Sequence, residues 1–432
     1  MVEQQFNFSN WFILMNNPKS ELIQVLTQRG YLYQSTDLDE LDTAANGQKP
    51  LVGYIGFDCT ASSLHVGSLV QIMLLRRLQQ AGHKPIVLMG GGTTKIGDPS
   101  DKDKSRPLLD DARISANMAS IKTVFEKLLT FGDGPTDAIM VNNGDWLDKL
   151  ELIPFLRTVG RHFTINKMIK MESVKRRISD ENEMTFLEFN YLLLQSYDFL
   201  ELNERYGCNL QLGGRDQWGN MVNGKDLIRR VNGNHAYVFT SPLITTASGT
   251  KMGKTAEGAV WLNADMRSPY EYWQFWRNTE DADVGKFMRL FTDIPLDEIA
   301  GLEALEGSEI NTAKIVLANA CTTMLHGQES AAKAEETARQ TFAEGGTGDD
   351  LPTIDVTEET LQSGLSVVQA FVLAGLVASN GEAKRHIKAG ALKINDAAIS
   401  DLQAQIQAGQ FDAQGQIKLS VGKKKHAIVR LA

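Results

Sequence analysis

Three segments of the chain carry residues whose types and spacing suit work on phosphates. The first, residues 56–68, contains Thr60, His65 and Gly67. It begins as an apolar run ends and finishes as a helical pattern begins, and the free N–H groups and partial positive charge of a helix N-terminus favour phosphate. His65 can donate to a phosphate oxygen, and Gly67 lets a flat ring such as adenine approach the backbone. A His-x-Gly alone is more often a capping or loop histidine, but its position between strand and helix favours a phosphate site.

The second segment, residues 249–255, places Lys251 and Lys254 three positions apart among small residues and ends in Thr255. Such a cationic loop can clamp a triphosphate whose negative charge shifts during a reaction. Taken alone, the same sequence is more typical of a solvated basic turn. Its interpretation therefore depends on the motifs that accompany it.

The third segment, residues 212–220, joins paired glycines to Asp216 and Gln217. Glycines admit close approach of a ligand to the backbone, and the carboxylate and the amide supply hydrogen bonds. A tight turn beside a buried Trp218 explains the same residues equally well.

A polar stripe lies just before this third segment in the sequence. Tyr191, Gln195 and Asp198 occur at positions i, i+4 and i+7, which places them on one face of a helix. An ordinary amphipathic face is the alternative explanation. Three polar side chains aligned beside leucines are unusual for such a face, so we expect a ligand-binding wall.

The elements that must position these residues form an alternating pattern. The apolar run 51–57 predicts a buried strand, residues 69–80 a helix and residues 85–89 a second strand, followed by three glycines. This βαβ unit implies an α/β fold with a doubly wound, parallel, Rossmann-like sheet, in which ligands bind at the carboxyl ends of the strands. Further helices are predicted over 20–33, 112–129 and 188–202, and strands over 210–213 and 237–239.

Composition limits the class of protein. The chain has 432 residues, of which 42% are hydrophobic and 22% charged, as in ordinary globular proteins. No apolar stretch approaches the roughly 18 residues of a membrane helix, and three cysteines are too few for a disulfide framework. We therefore expect a cytoplasmic protein without a membrane partner.

The charge is uneven along the chain. Residues 380–432 carry nine Lys and Arg against four Asp and Glu, whereas the remainder has a net charge of −14. An acidic body with a basic tail is typical of a catalytic unit joined to a module that binds an anionic ligand. Lys384, Arg385 and Lys388 occupy neighbouring turns of a predicted helix, a spacing that can follow a phosphate backbone; a solvated basic helix is the alternative.

Taken together, the motifs resemble those of the class I aminoacyl-tRNA synthetases, and of the tyrosyl-tRNA synthetases in particular. The first segment is similar to the HIGH signature, the second to the KMSKS loop, and the third to the family's Gly-Gly-x-Asp-Gln run. Residues 97–100, 143–146 and 268–270 also match, and the resemblance extends from about residue 18 to the C-terminus. Two positions depart from it: Cys59 stands where proline is common, and Ser68 where histidine or asparagine is common.

The resemblance implies a domain organisation. We expect a catalytic domain over 15–265 with an inserted dimer-interface segment, an α-helical anticodon-side domain over 266–345 and a linker over 346–362. A small α+β RNA-binding module of the ribosomal-protein S-four type should follow over 363–432. Residues 1–14 are interpreted as an upstream extension.

The resemblance also implies an activity, in which L-tyrosine and ATP give tyrosyl-adenylate and pyrophosphate, and the tyrosyl group then passes to tRNA(Tyr). The residues implied to bind tyrosine are Tyr54, Asp98, Asn143, Tyr191, Gln195, Asp198 and Gln217. Those implied to bind ATP are Gly56, Asp58, His65, Gly67, Ser68, Gly214, Asp216 and Lys254. Those implied to act in catalysis are Thr60, His65, Lys102, Arg106, Lys251, Lys254 and Thr255.

Partners follow from the same resemblance. ATP should enter as a substrate with Mg²⁺, with no tightly bound cofactor, no protein metal site and no DNA partner. A homodimer is implied, and the region 142–170 is the expected interface. The residues expected to bind RNA are Lys384, Arg385, Lys388, Lys423, Lys424 and Lys425.

Three other functions compete with this interpretation. A tryptophanyl-tRNA synthetase shares the loops, but Tyr54 and Asp198 favour a phenol substrate. A small-molecule nucleotidyltransferase would not need the basic tail. An RNA-binding protein without catalysis should have lost His65 or the lysines, and none of them is missing.

Overall fold

The structure is a computed structural model of the chain, and it describes residues 18–99, 109–179, 183–249, 252, 254–255, 258–343, 351–412, 414–422 and 425–431. The chain divides into two compact units. The first takes in the chain up to Lys254 together with 259–266 and 279–313, and the second comprises 255–258, 267–278 and 314–432.

A six-stranded sheet organises the first unit. Its strands are β1 (Gln34–Ser35), β2 (Val52–Phe57), β3 (Lys84–Met89), β4 (Ile139–Asn142), β5 (Leu210–Gly214) and β6 (Tyr237–Ser241), in the order β1-β6-β5-β2-β3-β4. All neighbours pair in parallel except β1 and β6, which are antiparallel. The doubly wound parallel sheet predicted from the sequence is confirmed.

Helices surround this sheet in the sequence order that a doubly wound fold requires. The helices of the first unit are Glu21–Gln28, Leu38–Ala45, Val66–Gln80, Asp111–Leu128, Gly144–Leu147, Leu152–Thr158, Ile165–Met168, Glu172–Ser179, Phe186–Phe189, Tyr191–Tyr206, Trp218–Asn232, Val284–Phe291 and Leu296–Glu303. Within the described part of the chain, no helix has both the length and the apolar character needed to span a membrane.

The βαβ unit predicted from the sequence is present, with one shift at a boundary. The helix after β2 begins at Val66 rather than at residue 69, because His65 already has the extended backbone of an N-cap. The helix therefore starts directly behind the histidine, and its first turn belongs to the predicted phosphate segment. Ile72, Met73, Leu74 and Leu75 of this helix are fully buried.

The second unit contains helices and a smaller sheet. Its helices are Pro269–Arg277, Ile310–His326 (from residue 314 on), Gln328–Ala343, Glu358–Gln362, Val367–Leu373 and Asn380–Lys388. The strands β9 (Thr353–Val356), β10 (Leu392–Ile394), β11 (Ala397–Ala398), β12 (Gln416–Val421) and β13 (Lys425–Leu431) form a sheet in the order β11-β10-β12-β13-β9.

One difference from the sequence interpretation concerns the predicted linker over 346–362. Strand β9 pairs in parallel with β13, and Val356 belongs to the same buried core as Phe371, Leu392 and Val429. The helix Glu358–Gln362 follows it directly. Residues 353–362 are therefore part of the small C-terminal sheet structure, since β9 supplies one edge of that sheet.

Candidate active site

A pocket of about 390 Å³ lies in the first unit and contains the carboxyl-terminal residues of β2 and β5 in its walls. All the sequence-predicted residues of this unit whose side chains the structure describes contribute to its lining. They are Tyr54, Gly56, Asp58, Thr60, His65, Gly67, Ser68, Asp98, Asn143, Tyr191, Gln195, Asp198, Gly214, Asp216 and Gln217.

The remaining candidate residues are described in part or not at all. Lys102, Arg106 and Lys251 lie outside the described residues, as do Lys423 and Lys424 of the tail. For Lys254 and Thr255 the structure gives the backbone, which forms a two-residue strand, β7 (Lys254–Thr255), paired with β8 (Gly258–Ala259).

One end of the pocket holds a buried carboxylate. Asp198, only 2% exposed, accepts hydrogen bonds from Asn143 Nδ2 at 2.9 Å and from Trp146 Nε1 at 2.7 Å. The orientation of Asn143 is fixed in turn, because its Oδ1 accepts from the backbone N–H of Gly92 at 2.8 Å. Two donors therefore aim at the Asp198 carboxylate from a rigid frame.

Burial sets the protonation of this carboxylate. It raises the pKa of Asp198 from 3.8 to about 7, while the donors Asn143 and Trp146 lower that pKa and the charges of Asp58 and Glu201 raise it further. Loss of hydration penalises the charged form more than the two donors stabilise it.

Tyr54 provides the second polar group at this end. Its hydroxyl is buried and has no hydrogen-bond partner among the residues that the structure describes. Burial, with the nearby charge of Asp198, raises the pKa of Tyr54 well above its usual value, so the hydroxyl stays protonated. A buried hydroxyl without a partner costs about 1–3 kcal/mol, which a ligand that bonds to it recovers.

A second group of polar side chains lies on the helix Tyr191–Tyr206 and its neighbours. Gln217 Nε2 donates to Asp98 Oδ2 at 2.8 Å, Gln195 Nε2 donates to Gln217 Oε1 at 3.3 Å, and Asn220 Nδ2 donates to Gln195 Oε1 at 2.8 Å. The amides hold one another and the Asp98 carboxylate in place. This group presents one negative charge and several oxygen acceptors, which suits an ammonium ion.

Asp58 lies between the two groups. It accepts from Thr93 Oγ1 at 3.1 Å and from the Tyr191 hydroxyl at 3.4 Å, and Thr93 Oγ1 also accepts from Asn143 Nδ2 at 3.0 Å. Asp58, implied to bind ATP, is thus hydrogen-bonded to Tyr191, implied to bind tyrosine. The Asp58 carboxylate is therefore connected by hydrogen bonds to Tyr191 and, through Thr93, to Asn143.

The start of the helix Val66–Gln80 also lines the pocket. A Cβ atom at Gly67 would lie 2.7 Å from the imidazole Cε1 of His65 and 3.1 Å from the carbonyl oxygen of Met252. Only glycine therefore lets the imidazole lie against the first helical turn. The histidine, the helix N-terminus and the backbone of the second segment come together here.

The glycines of the third segment have a comparable role. A Cβ atom at Gly214 would lie 2.5 Å from Oδ1 of Asp216, so the missing side chain leaves room for that carboxylate. Gly214 ends β5, and Asp216 and Gln217 follow in a turn of 3₁₀-helix. The Asp216 carboxylate therefore lies beside the end of β5.

Comparison with known proteins decides the family. A family model described as tRNA synthetases class I (W and Y) matches residues 46–343, and one described as the Tyrosine–tRNA ligase SYY-like C-terminal domain matches residues 343–429. The protein named Tyrosine–tRNA ligase of Caulobacter vibrioides is 60% identical over 412 residues, which cover 95% of this chain and 98% of that protein. The chain belongs to the class I tyrosyl-tRNA synthetases.

Two further relatives agree with this assignment. The protein named Tyrosine–tRNA ligase of Rhodospirillum rubrum is 59% identical over 418 residues, covering 96% of this synthetase and 99% of the relative. The crystal structure of a C-terminally truncated Aspergillus nidulans mitochondrial tyrosyl-tRNA synthetase superposes with a TM-score of 0.68 at 28% identity. It covers 78% of this synthetase and 99% of that chain.

Some functional contacts of this synthetase were not predicted from the sequence. Trp146 bonds to Asp198, Thr93 joins Asp58 to Asn143, and Asn220 bonds to Gln195. The only sequence signal for these residues was their position in or beside motifs already noted. Trp146 lies three residues after Asn143, and Asn220 lies three residues after Gln217. Which partners they meet depends on contacts between elements distant in sequence.

The candidate RNA-binding residues lie in the second unit. Lys384, Arg385 and Lys388 are exposed on the helix Asn380–Lys388, whose Ala383 and Ile387 are buried in the core of the small domain. Lys425 begins β13 and is partly exposed. The helix of this synthetase therefore presents its cations to solvent on the face opposite its apolar anchors.

Proposed function

We propose that this synthetase activates L-tyrosine with ATP to form tyrosyl-adenylate and pyrophosphate, and then transfers the tyrosyl group to the 3′-terminal ribose of tRNA(Tyr). The observation that carries the proposal is a pair of buried groups in the pocket, the Tyr54 hydroxyl and the Asp198 carboxylate. A phenol hydroxyl is both a donor and an acceptor, so it could donate a hydrogen bond to Asp198 and accept one from Tyr54.

Recognition of the phenol explains the choice of amino acid. Asp198, oriented by Asn143 and Trp146, accepts the substrate O–H, and the Tyr54 hydroxyl donates to the substrate oxygen. A substrate without the hydroxyl leaves the Tyr54 hydroxyl unpaired, at about 1–3 kcal/mol, and gives Asp198 no donor beyond Asn143 and Trp146. An indole N–H offers a donor but no acceptor, so the tryptophan enzyme is the less suitable alternative for this site.

The amino group of tyrosine fits the second polar group. Asp98, Tyr191 and Gln195 supply a carboxylate, a hydroxyl and an amide oxygen as acceptors, and Gln217 holds Asp98 at 2.8 Å. These contacts would fix the α-carbon and aim the carboxylate toward the start of the helix Val66–Gln80. Orientation of this kind lowers the barrier because the reacting groups are already aligned.

Adenylate formation then needs charge stabilisation rather than a base. The tyrosine carboxylate is already an anion, attacks the α-phosphorus in line, and releases pyrophosphate. His65, Thr60 and the N–H groups at Gly67 and Ser68 would contact the phosphates. Lys102, Arg106, Lys251, Lys254 and Thr255 would hold the departing pyrophosphate. ATP would enter as its Mg²⁺ complex, with the ion on phosphate oxygens.

We further propose that the protein works as a homodimer. Apolar side chains lie exposed over 152–187, and among them Leu152, Ile153, Ile165 and Phe186 are 69%, 62%, 61% and 82% exposed. Exposed apolar groups concentrated in this way mark an interaction surface. The surface overlaps the interface predicted over 142–170 and extends it to Phe186.

The second unit would bind the tRNA. Exposed Lys384, Arg385 and Lys388, with Lys423 to Lys425 following along the chain, make a cationic surface suited to an RNA backbone. We place the enzyme in the cytoplasm, where tRNA is charged, and its three cysteines are buried free thiols.

Charging of tRNA(Tyr) with labelled amino acids tests the proposal. The full chain should charge the tRNA with tyrosine and with neither phenylalanine nor tryptophan. Removal of residues 351–432 should abolish charging but leave tyrosine-dependent pyrophosphate exchange, because the pocket lies in the first unit. Charging with tryptophan, or loss of exchange together with charging, would contradict the proposal.

A further inference from the structure

The segment 242–248, referred to below as the wall, reaches the pocket with its first three residues and continues into the lysine-bearing segment 249–255. Pro242, Leu243 and Ile244 line the pocket. The backbone N–H of Met252 donates to the carbonyl of Ile244 at 2.9 Å, which brings Met252 back onto this wall. The position of the wall therefore fixes the start of the lysine-bearing segment and the position of its residue Met252.

Two charged residues outside the pocket hold this wall by its backbone. Asp283, only 2% exposed, accepts from the backbone N–H of Ala247 at 2.7 Å. Lys286 Nζ donates to the carbonyl oxygen of Thr245 at 2.5 Å and lies 3.4 Å from Asp283 Oδ1. The Asp283 carboxylate thus binds the N–H of Ala247, and the Lys286 ammonium group binds the C=O of Thr245, two residues earlier in the wall.

The element that carries these residues is itself fixed at its other end. After the helix Val284–Phe291, Asp293 Oδ1 accepts from Arg77 Nη1 at 2.5 Å, and Arg77 is 3% exposed. Arg77 belongs to the last turn of the helix Val66–Gln80, whose N-terminus begins at His65. The helix Val284–Phe291 therefore links the wall 242–248 to the helix that begins at the proposed phosphate site.

We infer that Asp283 and Lys286 are positioning residues for adenylate formation, an inference that rests on the proposed function. They hold the wall 242–248 at a fixed distance from the helix Val66–Gln80. The triphosphate of ATP is proposed to lie between the wall and this helix. The phenol end of the pocket, with Tyr54 and Asp198, has no contact with them in the structure as described. Loss of the anchor should therefore slow the chemical step without weakening tyrosine binding.

Four variants separate this role from general stability. Asp283→Ala removes the acceptor for Ala247 N–H, whereas Asp283→Asn keeps an oxygen there. Lys286→Met removes the donor to Thr245. Arg289→Gln is the matched control, because Arg289 lies on the same helix but pairs with Glu303, at 2.6 Å, instead of the wall.

The measurement is kcat for tyrosine-dependent pyrophosphate exchange, with KM for tyrosine and the thermal midpoint of each variant. Asp283→Ala should lower kcat by roughly ten- to a hundredfold, as small misplacements in an active site do, with KM for tyrosine within about twofold of the parent. Asp283→Asn should restore most of kcat, Lys286→Met should behave like Asp283→Ala, and Arg289→Gln should match the parent.

Two results would overturn the inference: a kcat of Asp283→Ala within about twofold of Arg289→Gln, or a rise in KM for tyrosine that accounts for the whole loss. If Asp283→Ala does not fold, Lys286→Met, whose side chain is 38% exposed, decides by the same criteria. Absence of exchange in the parent protein would contradict the proposed function instead, so the two failures are distinguishable.

Discussion

At the scale of single residues, the hydroxyl of Tyr54 and the carboxylate of Asp198 are the groups that distinguish this pocket from an ordinary nucleotide site. Both side chains are almost fully buried. Asp198 has two donors in place, whereas the Tyr54 hydroxyl has no partner among the described residues. The geometry therefore leaves room for a phenol to supply the missing bonds.

The first prediction concerns Tyr54→Phe. Loss of one hydrogen bond to the substrate phenol should lower kcat/KM for tyrosine by about fivefold, because a net hydrogen bond contributes about 1 kcal/mol. The value for phenylalanine should stay unchanged, so discrimination between the two amino acids falls. Pyrophosphate exchange with tyrosine and with phenylalanine measures the two values of kcat/KM. The thermal midpoint should not fall, because the removed hydroxyl has no partner in the described structure. An equal loss with both amino acids would contradict the phenol contact.

The second prediction concerns the protonation of Asp198. Because burial raises its pKa from 3.8 to about 7, the folded protein binds the proton more tightly than the unfolded chain. The resulting contribution to stability is present in full below about pH 4 and is lost as the pH rises through 7. Asp198→Asn does not titrate, so the thermal midpoint of the parent should fall relative to this variant between pH 4 and pH 8.

This variant also tests activity. Asp198→Asn places an NH₂ group against one of the donors Asn143 or Trp146, and Asn143 cannot turn because Gly92 donates to its oxygen. The kcat/KM for tyrosine should therefore drop by more than the roughly fivefold expected for Tyr54→Phe. A difference in midpoint that stays constant with pH would show that the carboxylate of the folded protein is already charged at low pH.

At the scale of elements, the helix Val66–Gln80 depends on a glycine in its first turn. Gly67→Ala would place a methyl group 2.7 Å from the His65 ring and 3.1 Å from the Met252 carbonyl. The free energy of unfolding should hardly change, because the higher helix propensity of alanine offsets the cost of these close contacts. The displaced imidazole should lower kcat for pyrophosphate exchange at least tenfold, because small shifts in an active site are costly.

A matched control is available for this substitution. Gly301 lies in the helix Leu296–Glu303 and has nothing within 4 Å of an added Cβ. Gly301→Ala should therefore leave kcat unchanged. If Gly67→Ala were as active as Gly301→Ala, the imidazole would not need its place against the helix.

The sequence predicted some elements well for physical reasons. Strands β2 and β3 and the helix between them have apolar runs, because both strands have neighbours on both sides in the sheet and the helix is buried along much of its length. Strand β12 was not predicted, although Ile417, Leu419 and Val421 alternate with polar residues as in a half-buried strand. Lys418 is buried through an ion pair with Asp396 at 2.9 Å, and Ser420 through a hydrogen bond with His426 at 2.8 Å. The burial of these two polar residues depends on partners outside the strand, which the alternation of residue types does not reveal.

The site shows the same limit. The family resemblance implied that Asn143 and Asp198 bind the same ligand, and both residues line the pocket. It could not predict that Asn143 and Trp146 donate to Asp198, more than fifty residues later in the chain. That contact depends on how the turn after β4 packs on the helix Tyr191–Tyr206, and β4 itself, four half-buried residues, has no alternation that the sequence reveals.

At the scale of the whole molecule, the exposed apolar surface over 152–187 predicts the oligomeric state. Phe186→Asp should convert the dimer to a monomer at micromolar concentration, because a carboxylate would be buried without a partner. Light scattering coupled to gel filtration measures the mass. Leu373→Asp, at an apolar residue 60% exposed in the second unit, is the control and should leave the dimer intact. A monomeric parent protein, or a dimeric Phe186→Asp variant, would contradict the proposed interface.

The measurement that tests the central claim most directly is amino-acid-dependent ATP–pyrophosphate exchange by the full chain, with tyrosine, phenylalanine and tryptophan compared under the same conditions. It reports at once on the phosphate end of the pocket, at His65, and on the phenol end, at Tyr54 and Asp198. We expect exchange with tyrosine and none above background with the other two. Exchange with tryptophan, or none with tyrosine in folded protein, would contradict the account.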